Sequence, residues 1–166
     1  MDSIILKHYK IYIAPQDCEI NFNGKKISPL SRFKPSKIEA EETDSIYRSQ
    51  YVSIRIHQLD KQYSDSAGYD SNEWKQVKDS YQSTRSEVIS RIKRKEKYYL
   101  EEFDRFLWGY KNEYGEKLIF IQFDPHKPKY FSVDGNGESL LDTPSIIVYN
   151  ISKKIISMAG WADFKE

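Results

Sequence analysis

The chain has 166 residues, a length that one domain with a substantial core can fill. Lys and Arg number 26 against 25 Asp and Glu, so the net charge of +1 gives no global signal for nucleic acid or an anionic membrane. Hydrophobic residues make up 39% and aromatics 14%, with 13 Tyr, which excludes a disordered chain and leaves tyrosine for contact surfaces.

Residues 3–13, SIILKHYKIYI, are rich in Ile and Tyr and predict a strand ended by Pro15. In CEINFNGKKI, Cys18, Ile20 and Phe22 alternate with Glu19 and Asn21. Asn23-Gly24 follows, and both residues accept positive φ, so a β-hairpin is predicted. Residues 28–45 hold Pro29, Pro35 and the acidic run EAEETD, and read as a long loop with at most one helical turn. Residues 46–59 alternate Val52, Ile54 and Ile56 against Ser53, Arg55 and His57, the pattern of a half-buried strand. Residues 60–72 read as a polar loop.

From Ser71 to Trp108 there is no Gly or Pro. Trp74, Val77, Tyr81, Val88, Ile92, Tyr99, Phe103 and Phe106 recur at helical spacing. Ser71 or Asn72 caps the start, Gly109 marks the stop, and the stripe thins at residues 93–97, where a break is expected. LIFIQF, residues 118–123, is apolar on both faces and predicts a central strand. Residues 130–133, 145–151 and 155–159 predict further strands, the last two joined by Ser152-Lys153-Lys154. The predicted fold is a single α+β domain: a curved, mainly antiparallel sheet packed against one long helical segment with its break expected at residues 93–97. Its parts are a β-rich stretch 1–59, the helical segment 71–110 and a β-meander 117–161.

The chemistry-bearing residues form no catalytic constellation in sequence. One cysteine, Cys18, excludes an internal disulfide and a Cys-based zinc site, and points to a reducing compartment. DGNGE, Asp134 to Glu138, lacks the terminal Glu of a calcium loop, since position twelve is Ser145, and lacks the Lys-Ser/Thr of a phosphate loop. Its glycines are what a turn needs. None of His8, His57 and His126 is four residues from another. Cys18 beside His8 or His57 would make a nucleophilic dyad, but Cys18 falls on the apolar side of its strand, where a buried thiol is the commoner outcome. RIKRKEK, residues 91–97, carries five positive charges and one negative, with Tyr98 and Tyr99 behind it. On a helix these charges spread around more than one face, which fits a solvated surface better than a nucleic-acid groove. Tyr63, Tyr69 and Trp74, with Glu39, Glu41 and Glu42, have the composition of a protein-binding patch. No run approaches the roughly 20 apolar residues of a membrane span, and MDSIILKHYK lacks a signal-peptide pattern. The expected location is cytoplasmic, or periplasmic if Met1 replaces a removed signal.

Residues 99–161 resemble the C-terminal part of bacterial toxin immunity proteins with a nuclear-transport-factor-2-like fold. In that family a helix ends in a Tyr-Gly pair, here Tyr114-Gly115, and a strand follows. Then come an aromatic-x-Val-x-Gly strand, here Phe131 to Gly135, and a Gly-rich loop. An apolar strand next turns through Lys-rich residues into Ile-Ile, here Ile146 to Ile156. The family's Asp-Lys-Lys-Gly turn is replaced by Asn150-Ile-Ser-Lys-Lys, without the glycine. The resemblance implies a non-enzymatic inhibitor that occludes a cognate protein toxin and needs no cofactor. The alternatives are a small-molecule or enzymatic use of a sheet cavity, and RNA binding through Arg91 to Tyr99.

Overall fold

The computed structural model of the protein describes residues 1–22, 25–63, 71–125 and 146–158. The chain divides into two compact units, Met1–Tyr47 with Glu101–Glu166, and Arg48–Leu100. The first unit is built on a mixed, mostly antiparallel sheet of seven strands among the described residues, as an α+β chain requires.

β1 (Asp2–Ile5) and β2 (Lys10–Ile13) form a hairpin with Ser3 opposite Tyr12. The run 3–13 therefore breaks into two strands at a bend, closed by the Leu6 N–H donating to Tyr9 O at 3.0 Å. β3 (Asn21–Phe22) and β4 (Lys25–Lys26) pair with each other in a separate ladder, on either side of the predicted Asn23-Gly24 turn. A single 3₁₀ turn, Pro29–Ser31, leads into β5 (Arg32–Phe33). The remaining strands are β6 (Phe103–Lys111), β7 (Lys117–Pro125), β8 (Ile147–Asn150) and β9 (Ile155–Met158). Their order is β1-β2-β6-β7-β8-β9, with β5 also paired to β6. β2 runs parallel to β6, and the other pairs are antiparallel.

β7 is the predicted central strand. Leu118, Ile119, Phe120 and Ile121 are all buried, because both faces of the sheet are covered. One face carries Trp108, Tyr110, Leu118, Phe120 and Val148, packed with Ile20 and Ile27 from around the β3–β4 hairpin. Trp108 and Phe120 stack there with ring centroids 4.3 Å apart. By the alternation of strand side chains, the other face carries Arg105, Leu107, Ile119, Ile121, Phe123 and Tyr149.

The helices differ most from the sequence expectation. α1 (Lys37–Gln62) occupies both the predicted loop 28–45 and the predicted strand 46–59. Its start is a capping box: Ser36 Oγ accepts from the Glu39 N–H at 3.2 Å, and Glu39 Oε2 accepts from the Ser36 N–H at 2.9 Å. Pro35 sits before the cap, where it restricts Lys34 rather than the helix. The alternation of Val52, Ile54 and Ile56 is overridden by a helical stripe of Tyr47, Tyr51, Ile54, Gln58 and Leu59, all buried. α2 (Ser71–Glu101) runs unbroken through residues 93–97 and ends at Glu101, well before Gly109. Its predicted stripe holds from Trp74 to Ile92, where Tyr81 and Ile92 are buried and Trp74, Val77 and Val88 half-buried. Phe103 and Phe106 belong instead to β6, a strand apolar on both faces that periodicity cannot tell from a buried helix.

Gly109 is a site of close approach rather than a helix stop. An added Cβ would lie 2.6 Å from Phe33 O and 2.7 Å from the Phe33 ring, in the β5–β6 pair.

Within the first unit, the helix that lies on the sheet is the part of α1 up to Tyr47. Asp44 Oδ1 accepts from Arg105 Nε at 3.3 Å, and the Tyr47 ring sits 5.0 Å from Phe123. The Tyr9 hydroxyl donates to Asp44 Oδ2 at 2.5 Å, and Arg105 Nη1 donates to Phe103 O. The guanidinium carbon stands 4.1 Å above the Tyr9 ring centroid.

Two outcomes are expected from this packing. Asp44→Ala strands a buried cation and destabilises the protein by about 3–5 kcal/mol, whereas Asp44→Leu with Arg105→Met recovers most of that loss. Urea unfolding of the singles and the double measures both, and equal losses would contradict the assignment. Gly109→Ala costs about 1–3 kcal/mol in the same assay, because a backbone carbonyl cannot move aside.

Candidate protein-contact surface

The first turn of α1 stands over one end of the sheet. The β6–β7 turn (112–116) and the β8–β9 turn (151–154) lie at that same end, because Lys111 pairs with Lys117 and Leu118 with Asn150. Three carboxylates meet there, each held by several donors.

Glu39 caps the helix and pairs with Lys117 Nζ at 3.3 Å. Burial works to raise its pKa, but the hydrogen bonds from Ser36 and Lys117 hold it below the usual carboxylate value. Glu42 accepts from the Lys154 ammonium and from the Tyr149 hydroxyl, the latter at 2.9 Å. Lys154, and after it Tyr149, depress the Glu42 pKa, and Glu42 in turn raises that of Lys154. The Tyr149 hydroxyl is pushed up by burial and by Glu42. Glu116 accepts from Lys153 Nζ at 2.8 Å, Asn112 Nδ2 at 3.0 Å and Asn150 Nδ2 at 3.1 Å, which lowers its pKa.

The turns that carry these groups are fixed by local chemistry. Asn112 Oδ1 accepts from the N–H groups of Tyr114 at 3.1 Å and Glu116 at 2.9 Å, and Gly115 takes φ 74°. Tyr114-Gly115 is thus the tip of a β-hairpin, where the family pattern has a helix end. In the β8–β9 turn, Asn150 Oδ1 accepts from the Lys153 N–H at 3.0 Å. Lys154 adopts φ 57° at the position where a glycine would be unstrained.

Large apolar side chains surround this charged lattice without being buried by it. Ile38 is 76% exposed, Tyr114 76% and Ile155 57%. Leu30, 93% exposed, precedes β5, whose register (Arg32 opposite Tyr110) carries it toward the same end. Exposed Ile, Leu and Tyr beside ordered charges make up the composition of a contact patch.

Of the residues singled out in the sequence, Glu39 and Glu42 belong to this lattice, and Glu41 is exposed on the same helical turn. Tyr63 and Trp74 belong to the second unit, where Trp74 is half-buried on α2. Tyr63 follows the end of α1 and stacks on Tyr81 with centroids 4.1 Å apart. Tyr69 lies outside the described residues, as do His126, the strand expected at 130–133 and the Asp134–Glu138 loop. His8 stands 3.8 Å from Glu101, and His57 is exposed on α1. Among the described residues no group of three or more His, Cys, Asp or Glu side chains is placed to hold a metal. Among the same residues no helix is long and apolar enough to cross a membrane. Residues 91–97 lie on α2, with Lys93, Arg94 and Lys97 exposed and Arg91 beside Glu87 at 3.9 Å. Leu30 and Tyr114 were not marked by any periodicity, since they sit in turns, and Ile38 and Ile155 stand at the starts of α1 and β9. The Ser36-x-x-Glu39 box was the one signal able to place the acidic cluster on a helix.

Comparison with protein-family models, curated proteins and solved structures gives no match for this chain.

The second unit has its own ionic clasp. Asp60 accepts from Arg85 Nε at 2.8 Å, Arg85 Nη2 at 2.7 Å and the Tyr81 hydroxyl at 2.7 Å. Arg85 brings the Asp60 pKa down from 3.8 to about 2, while burial and the Asp60 charge push Tyr81 up to about 12. A depressed carboxylate stabilises the folded state above its unfolded pKa and ceases to do so as pH falls through the folded one. The stability difference between wild type and Asp60→Asn therefore shrinks as pH falls from about 4 to about 2. Urea unfolding of both at pH 7, 4, 3 and 2 checks this, and a difference constant over that range would contradict the clasp.

Proposed function

We propose that this chain is a non-enzymatic protein-binding module of the immunity or antitoxin kind, which neutralises a cognate protein toxin by covering its active site. The observation that carries the reading is the end of the sheet just described. Leu30, Ile38, Tyr114 and Ile155 are exposed there beside Glu39, Glu42 and Glu116, whose carboxylates are fixed by neighbouring donors. A surface ordered before the partner arrives loses little side-chain freedom on binding, so more of the contact energy appears as affinity. The apolar side chains supply the buried centre of a contact, and the paired charges supply a polar rim that sets orientation. The resemblance of residues 99–161 to immunity proteins supplies the kind of partner. The reading needs no cofactor, and a single unpaired cysteine agrees with action in the cytoplasm.

The test is capture with the chain as bait, followed by an assay of the captured protein. The expected outcome is one stoichiometric partner with a toxin domain whose activity the chain abolishes. Tyr114→Ala and Ile38→Asp then each weaken binding about tenfold or more, while Ile5→Ser, on the edge strand β1, leaves it unchanged. A partner whose activity persists in the complex would overturn the inhibitor reading. Binding indifferent to Tyr114 and Ile38 would overturn the surface.

A further inference from the structure

Two arginines of the first unit are fully buried, and they are solved differently. Arg105 has the Asp44 carboxylate. Arg32, only 1% exposed, has none among the described residues. Its Nη1 donates to Cys18 O, and its Nη2 donates to Pro15 O at 3.0 Å and to Cys18 Sγ at 3.3 Å. Its Nε is buried without a partner among the described residues. A buried guanidinium facing only neutral acceptors, with one donor unfilled, is an expensive arrangement. The group beside it that can take a negative charge is the Cys18 sulfur. Cys18 is half-buried, at the margin of the core formed by Ile20, Trp108 and Phe120.

We propose that Cys18 is an oxidant-sensitive modification site whose oxygenated sulfur is held by the Arg32 guanidinium. The co-reactant is a small hydroperoxide such as hydrogen peroxide. The thiolate attacks one peroxide oxygen, an S–O bond forms and the O–O bond breaks. The sulfur gives up two electrons, and the other oxygen departs as hydroxide, which takes a proton and leaves as water. The nucleophile in this step is a thiolate, and a cation against the sulfur balances its charge. The Nε–H and one Nη2–H of a guanidinium point the same way as a fork. An oxygen added to the sulfur that Nη2 already touches brings an acceptor to that fork, where Nε has none. The inference stands apart from the contact surface, since it uses neither the acidic lattice nor the exposed apolar residues.

The probe is hydrogen peroxide at neutral pH, with dimedone to trap the sulfenic acid and mass spectrometry to locate it. Cys18→Ser gives the blank. The expected result is a trapping rate for the folded chain about tenfold above that of the same chain unfolded in urea. Arg32→Met is expected to remove that advantage, and Arg32→Lys to keep part of it. A folded rate equal to or below the unfolded rate would overturn the proposal. So would an Arg32→Met variant that is folded by circular dichroism yet reacts as wild type. If Arg32→Met does not fold, the folded-against-unfolded comparison of the wild type decides alone.

Discussion

The first unit depends on a charge that cannot be left alone. Arg105 is wholly buried in β6, between β2 and β7, and a cation there costs several kcal/mol unless it is paired and hydrogen-bonded. Asp44, Phe103 O and the Tyr9 ring meet that cost from three different places in the sequence. The pair need not add net stability over an apolar substitute. Its consequence is register. A one-residue slip of β6 would turn Arg105 to the face of Trp108 and Phe120, where the packing is apolar. The slip is therefore excluded by electrostatics as well as by hydrophobic pattern.

The same pair decides what the end of the sheet looks like. With Asp44 and Tyr47 held over Arg105 and Phe123, the preceding turns of α1 reach back over β7 and β8. Glu39 then meets Lys117, and Glu42 meets Tyr149 and Lys154. Each of these ion pairs is half-exposed, and taken singly such a pair contributes little. Their worth lies in order: the side chains are fixed where a partner would otherwise have to fix them. Lys154 fits this view. A non-glycine residue at positive φ costs about 1–2 kcal/mol, and here its ammonium is the group that holds Glu42.

What the sequence made legible was local. The β3–β4 hairpin announces itself through Asn23-Gly24, and β7 through five apolar residues broken only by Gln122. The β8–β9 pair follows from two apolar runs around a polar turn. α1 was hidden because Val52, Ile54 and Ile56 satisfy a period of two, while Tyr47, Tyr51, Ile54 and Leu59 satisfy the helical period over the same residues. Only burial chooses between them. The capping box at Ser36 and Glu39 favoured the helix, but Pro29 and Pro35 pulled the other way, although a proline just before a cap interrupts nothing. The candidate surface was half legible. Glu39 and Glu42 stood out in an acidic run, but the turns that meet them come from residues more than 70 positions away. No pattern within one stretch of sequence encodes such a meeting.

Arg32 shows why a buried cation can be kept where no carboxylate balances it. The chain turns at Pro15 and Cys18, where Pro15 O accepts from the Cys18 N–H at 3.4 Å and both carbonyls accept from the Arg32 guanidinium. Buried carbonyls need donors as strictly as buried cations need anions. A guanidinium offers five donors in a plane and can close both from one side chain. An apolar residue of similar volume would remove the charge but take the donor from the Cys18 carbonyl, at about 1–3 kcal/mol, and leave Pro15 O with the Cys18 N–H at 3.4 Å. Backbone geometry thus accounts for the arginine's presence, and the sulfur it touches is a by-product of that geometry. The by-product has chemistry of its own, because the only thiol in the chain lies against a buried guanidinium that has no carboxylate partner among the described residues.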